Sequence, residues 1–350
     1  MTAPDLVVLR PEGLYCPPGD FWIDPWRPVP RAVITHAHAD HARRGHGAYL
    51  ASAEGAAALR ARVGAGIALQ TLAWGEVLDL GGVRLSLHPA GHVLGSAQVR
   101  LEHHGQVWAV SGDYFVCGDH DDTSGPGLAT CTPFEPLRCD CFVTECTFGL
   151  PIYRWRPPHE VFAEIDAWWA ANAAAGRTSL LLGYSFGKAQ RLLAGVNPAI
   201  GPIAVHDTVE AMNTAHHAAG FRLPETRRLD ALTAAERRGA LVIAPPTARG
   251  SAWAAGLGEH RSAFASGWMQ LRQRQRRAGV DRGFVLSDHA DWPGLLRAIR
   301  ATGAERVVVT HGAEAVLLRW LREQGWRADP FRTAFGGGED DAAGPSTEAA

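Results

Sequence analysis

Residues 35–41 read Thr-His-Ala-His-Ala-Asp-His, directly after the apolar run Ala32-Val33-Ile34. No other feature of the chain constrains its fold as tightly. A short β-branched apolar run reads as a buried strand. Three imidazoles and a carboxylate then fall where strand gives way to loop. While the chain stays extended, His36 and His38 point the same way, and Asp40 and His41 can turn toward a second point. Imidazole combined with carboxylate suits zinc, and also manganese or iron. Strands that deliver polar residues to loops at their C-terminal ends belong to layered α/β architecture.

Two more strand ends carry ligand-type residues. Residues 83–87 read as a strand before Gly91-His92-Val93-Leu94-Gly95-Ser96, and 107–110 as a strand before Ser111-Gly112-Asp113-Tyr114. Either signal alone is weak, because most loop histidines and aspartates bind nothing. With the first motif they complete a binuclear set. His36, His38 and His92 would hold one metal; Asp40 and His41 would hold the other, with Asp113 bridging.

A helical stretch spans about 52–63, and from about Pro157 the texture becomes βα alternation. A helix with paired Trp168 and Trp169 leads to a strand at 179–182. Strands follow at 240–244, 283–286 and 306–310, with the basic run 272–277 among them. Thr144-Glu145-Cys146-Thr147 puts an acid at the end of an apolar strand. Ser287-Asp288-His289-Ala290-Asp291 and Thr310-His311-Gly312 each put a histidine after one. No internal repeat is visible.

Asp24 in Phe21-Trp22-Ile23-Asp24-Pro25, the H-x-H-x-D-H motif, His92 and Asp113 resemble the first four motifs of the metallo-β-lactamase superfamily. Glu145, His289 and His311 resemble motifs A, B and C of its β-CASP nuclease branch. The resemblance spans roughly residues 10 to 335. It implies an αββα sandwich at 1–155 and 283–335, an inserted β-CASP α/β domain at 156–282, and a disordered acidic tail at 336–350. It further implies two divalent ions, zinc or manganese, and phosphodiester hydrolysis. On this resemblance Asp24 braces the ligands from outside the metal shell and His311 completes the second metal's set. His289 protonates the leaving oxygen, with Glu145 orienting it. Phe148-Gly149-Leu150-Pro151 and Ser266-Gly267-Trp268-Met269 are similar to segments of ligase-associated DNA exonucleases, whose partners include a DNA ligase and a helicase. A histidine in motif C is more usual among RNA-acting members. The expected substrate is therefore single-stranded DNA first and RNA second. A catalytically silent nucleic-acid-binding subunit is the rival from another class, and the intact ligand set weighs against it.

Substrate contacts are expected at Ser185, Gly187 and Lys188, where a glycine turn opens a helix after a strand, and at Arg249 and Ser251 after another strand. Of the 34 basic residues, Lys188 is the single lysine. The Gly187-Lys188 segment lacks P-loop spacing. The run 272–277 reads equally as a backbone-tracking surface or a solvated helix face. Asp119-His120-Asp121-Asp122 reads as a hydrated turn.

Net charge is −2, but Glu339, Asp340, Asp341 and Glu348 all lie beyond Gly336, and without them the rest carries +2. Charge thus permits a polyanionic substrate without requiring one. The six cysteines form no C-x-x-C pair, so they are expected reduced and packed. No basic segment followed by an apolar run opens the chain, and no run reaches the ~20 apolar residues of a membrane span. The expected location is cytoplasmic.

Overall fold

The computed structural model describes residues 4–117, 128–331 and 333. The run 119–122 and the tail from Gly336 lie outside the described residues. The fold is mixed α/β and divides into two compact units. The first comprises Met1–Cys117, Cys131–Arg154 and His289–Asp341; the second comprises Gly118–Thr130, Trp155–Asp288 and Ala342–Ala350.

The first unit holds two sheets. One has six strands in chain order: Val8–Arg10, Gly13–Cys16, Phe21–Ile23, Arg31–Val33, Ala48–Ser52 and Leu69–Leu72. The other has seven, ordered Arg327–Pro330, Arg306–Gly312, Cys141–Cys146, Gln106–Val110, Ala97–His103, Val83–Pro89 and Val77–Leu80.

The two-residue period of a strand explains how the second sheet serves two cores. Val143, Val308 and Val110 pack with Leu14, Ile23, Val33 and Leu50 of the first sheet. Their chain neighbours Phe142, Val307, Val309 and Ala109 face the other way, onto Leu295, Ile299, Leu317 and Leu321. Those four leucines and isoleucines come from the helices Trp292–Thr302 and Glu314–Glu323. The layers therefore run sheet, sheet, helices, and a strand buried on both sides must be apolar throughout.

The second unit is built on one parallel sheet ordered Arg227–Arg228, Ile203–Val205, Leu241–Ala244, Thr178–Leu182, His260–Ala265 and Arg282–Phe284. Leu181, Leu241 and Ile243 pack on the helices Pro158–Ala174 and Lys188–Gly195, while Leu180, Leu182 and Val242 fill the opposite face. Within the first helix Trp169 is fully buried and donates its indole N–H to Gly239 O at 2.9 Å, whereas Trp168 is only partly buried. The sequence put the return into the first unit at 283. Arg282–Phe284 pairs with His260–Ala265 in the second unit's sheet, and the second unit runs on to Asp288.

No disulfide joins the six cysteines, five of which are buried. Among the described residues no helix is long and apolar enough to cross a membrane.

Candidate metal centre

The centre lies wholly within the first unit and is assembled from strand ends. Parallel pairing of Phe21–Ile23 with Arg31–Val33 sets Asp24 beside Thr35. Asp24 Oδ1 accepts the Thr35 N–H at 2.8 Å, and Oδ2 accepts the Thr35 hydroxyl at 2.5 Å. Oδ2 also accepts from His41 Nδ1 at 2.6 Å, which leaves His41 Nε2 as the ligating edge. Asp24 reaches this position with φ 44°, in the left-handed region where aspartate is among the better-tolerated residues.

Four donors converge first. His38 Nδ1 lies 3.1 Å from both His36 Nε2 and His92 Nε2. Asp113 Oδ2 lies 3.4 Å from His36 Nε2 and 3.9 Å from His92 Nε2. Metal–nitrogen bonds of about 2.1 Å imply a tetrahedron with edges of about 3.4 Å, so these separations fit corners around one small ion. A second set comprises Asp40, His41 and His311. Asp40 Oδ2 lies 3.6 Å from His41 Nε2 and from His311 Nε2. The sets meet at Asp113, whose Oδ2 is also 3.4 Å from His41 Nε2.

Electrostatics give an independent measure of fit. Burial opposes charge on His41, yet the carboxylates of Asp113, Asp40 and Asp24 outweigh it and hold its pKa well above the usual value. Burial likewise opposes ionisation of Asp113, but His41, with hydrogen bonds from His36 and His41, keeps its pKa well below the carboxylate range. His36 goes the other way, pushed down to about 4 by burial and then by the charge on His41. Once His41 is neutral, as a ligand must be, three carboxylates are left around a point that needs a cation. Asp113 Oδ1 is also buried with no hydrogen-bond partner among the described residues. The donor set fits divalent ions of the zinc or manganese type.

Beside the ligands, His289 Nδ1 lies 3.1 Å from both oxygens of Glu145. Glu145 is 1% exposed and is itself held by the Tyr114 N–H at 2.9 Å and the Thr147 hydroxyl at 2.5 Å. The pairing of Cys141–Cys146 with Arg306–Gly312 shifts register between Thr144 and Cys146. A bulge there re-aims the Glu145 side chain. On the partner strand His311 has φ 60°.

No protein-family model matches the chain. A protein named "Probable DNA ligase" from Opitutus terrae is 34% identical over 319 residues, which is 91% of this chain but 30% of that protein. The chain thus spans under a third of this relative's length. A crystal structure described as a protein of unknown function from Enterococcus faecalis V583 superposes with TM-score 0.53 at 11% identity. That match covers 80% of this chain and 74% of the other, and at such identity it speaks for the fold alone.

The residues expected to touch substrate all lie in the second unit, and most are engaged there. Lys188 is 2% exposed, with Nζ 2.8 Å from Asp288 Oδ1; the ammonium expected to face phosphate is enclosed by a counter-charge, as burial of a cation demands. Gly187, with φ 82°, is the N-cap of Lys188–Gly195 and donates to Gln190 Oε1 at 2.9 Å. Ser185 Oγ bonds Thr208 Oγ1 at 2.7 Å. Arg249 reaches the carbonyl of Ala278, and Ser251 Oγ bonds Ala248 O at 2.6 Å while capping a short helix.

Sequence reading missed three supports. Thr35 links Asp24 to His36, whose Nδ1 is 3.0 Å from its hydroxyl; its place at the head of the motif was the available signal. Thr147 fixes Glu145 from two residues away. Glu54 carried no signal at all. Its Oε1 accepts the Gly95 N–H at 2.9 Å while Ser52 Oγ donates to Gly95 O at 2.6 Å, so Gly95 of the His92 loop is held on both sides.

Proposed function

We propose that the chain is a two-metal phosphodiesterase of the metallo-β-lactamase superfamily's β-CASP branch, acting on DNA as an exonuclease in repair alongside a ligase. The observation that carries this reading is the junction at Asp113, where one carboxylate oxygen lies 3.4 Å from a histidine of each donor set. His36, His38 and His92 would hold one ion and Asp40, His41 and His311 the other, with Asp113 between them. Two divalent ions held there supply Lewis-acid charge to a phosphodiester and acidify the attacking water.

The chain's own residues do the rest. Asp24 fixes the tautomer of His41 and thereby the direction of its Nε2. Glu145, locked by Tyr114 and Thr147, accepts from His289 Nδ1 and stabilises the imidazolium. His289 Nε2 is then the edge that carries a transferable proton. In hydrolysis, water oxygen bonds to phosphorus and gives up a proton to solvent, the bond from phosphorus to the leaving nucleotide oxygen breaks, that oxygen takes the His289 proton, and His289 takes a proton back from solvent before the next turnover.

DNA is favoured because the relative named a probable DNA ligase matches 91% of this chain. RNA is the second reading, favoured by a histidine rather than valine at position 311. Matched single-stranded DNA and RNA, each labelled at one end or the other, separate them with zinc- or manganese-loaded protein. Mononucleotide release from DNA at one end is the expected result. RNA-selective cleavage moves the chain to the processing branch, and no cleavage of either with both metals sinks the phosphodiesterase reading.

A further inference from the structure

We infer that the helix Arg272–Ala278 is a nucleic-acid-backbone docking surface that works independently of the metal centre. The proposal rests on the phosphodiesterase reading only for the choice of polyanion.

The helix has seven residues, Arg-Gln-Arg-Gln-Arg-Arg-Ala, with four arginines and no acid. Arg272, Arg276 and Arg277 are exposed and Arg274 is half-buried. Arg249 adds a fifth guanidinium by bonding the carbonyl of Ala278, at the helix's C-terminal end. None of the five has a carboxylate partner among the described residues. The contrast with nearby arginines is direct: Arg261 pairs with Asp281, and Arg282 with Glu164.

This arrangement is costly unless it is used. Arg272 and Arg276 are i,i+4 like charges, which destabilise a helix. Arg272 also sits in the first turn, where the helix dipole favours anions. An ordinary solvated face would interleave acids, as Arg156 does with Glu160 and Arg319 with Glu323 elsewhere in the chain. Here the spacers are glutamines, and one of them anchors the helix: Gln275 Nε2 donates to Met269 O at 2.6 Å.

The partner follows from what the face offers. Apart from Ala278 the helix has no apolar residue, so it cannot insert into a lipid surface as an amphipathic anchor does. Its seven residues give an acidic peptide's anchor side chains no apolar partner beyond Ala278 either. It does offer guanidinium groups beside an aromatic ring, because Arg274 lies over Trp268 at 5.3 Å. Clustered cations next to an aromatic are the elements that single-stranded nucleic acid uses, charge for the phosphates and a ring for a base.

The test needs no catalysis. Full-length protein is held in chelator, and binding of a fluorescent oligo-dT is followed by anisotropy across a salt series. Arg272→Glu/Arg276→Glu/Arg277→Glu is compared with wild type and with the milder triple glutamine variant, whose fold is checked by thermal melting. Removing three phosphate contacts should flatten the slope of log K against log salt by about 2 and weaken binding more than tenfold at low salt. The glutamine variant should show the same flattening. Unchanged slope and affinity in either folded variant overturn the proposal. So does competition by polyglutamate as effective as that by unlabelled DNA, which would assign the face to acidic proteins. Because binding is read without metal, a failed cleavage assay leaves this result standing, and a failed docking surface leaves the nuclease reading untouched.

Discussion

Thr35→Val isolates the contribution of one hydroxyl to the metal centre. Valine matches threonine in shape, so no cavity forms, and at a strand end its β-branching suits the backbone. What is lost is the bond from Thr35 Oγ1 to Asp24 Oδ2, 2.5 Å long and buried at both ends. A net charge-assisted hydrogen bond is worth about 1.5–3 kcal/mol. Asp24 keeps the Thr35 N–H and His41 Nδ1, so the carboxylate stays in place but is held less firmly. Its freedom passes to His41, and His36 loses the hydroxyl 3.0 Å from its Nδ1. Both donor sets should therefore weaken, by about 10- to 100-fold in metal affinity, as when a ligand's outer support is removed. Stepwise titration against a chromophoric chelator measures this, and thermal unfolding in chelator measures the metal-free protein. Thr35→Ser, which keeps the hydroxyl, should restore affinity. A valine variant that loses stability but binds both metals within about twofold of wild type would refute the bracing argument.

Glu54→Gln should weaken the set containing His92 by about tenfold while sparing Asp40, His41 and His311, because it loosens the Gly95 peptide; equal weakening of both sets would count against it. Gly112→Ala should destabilise the metal-free chain by about 2–4 kcal/mol, since φ is 57° and the new Cβ would lie 2.7 Å from Thr35 Cβ; an unchanged melting temperature would show that the strand end yields. His289→Ala should abolish most turnover while two metals per chain remain by elemental analysis, and loss of metal would make His289 a ligand. His41 has its folded pKa raised above 6.5, so its charge stabilises the metal-free protein fully below 6.5 and less as pH rises through the raised value. Metal must displace that proton, and calorimetry in buffers of differing ionisation enthalpy should find at least one proton released near neutral pH, since His311 is raised as well; zero release would place the carboxylates' counter-charge elsewhere.

The candidate donors are legible in the sequence because they cluster at strand ends that announce themselves as apolar runs. Residues 32–35, 83–87, 107–110 and 306–310 all read as strands, and the structure has Arg31–Val33, Val83–Pro89, Gln106–Val110 and Arg306–Gly312. Strands with mixed burial were not legible. Leu69–Leu72 and Val77–Leu80 are largely exposed, and Ala97–His103 carries Gln98, Arg100 and Glu102 among its apolar residues. The stretch read as helix from 52 to 63 begins as the end of strand Ala48–Ser52, and the helix proper is Ala56–Val63. An alanine- and leucine-rich run has helical propensity whichever sheet claims its first residues. Lys188 stands out as the single lysine, but composition cannot tell a phosphate-facing cation from one enclosed by Asp288, a hundred residues away.

The centre is a point of stored cost that metal can offset. Asp24 and His311 sit at positive φ, Asp113 is buried among carboxylates that only the raised imidazoles of His41 and His311 balance, and the register slips at Glu145. Each departure would be removed by a sequence selected for stability alone, and they concentrate where seven candidate donors from separate strand ends meet. Three of the strands that carry them, Gln106–Val110, Cys141–Cys146 and Arg306–Gly312, by contrast send alternate apolar residues into two separate cores. That division explains why the ligands can be exact in position while their local backbone is strained: the two cores over-determine the strand ends. It also couples metal to folding, because ions that bind the assembled ends and not the unfolded chain add their binding free energy to stability. Removing metal should thus lower the melting temperature of the first unit, whose strand ends supply every ligand, and a metal-independent melt of that unit would mean the sandwich cores alone hold the ends in place.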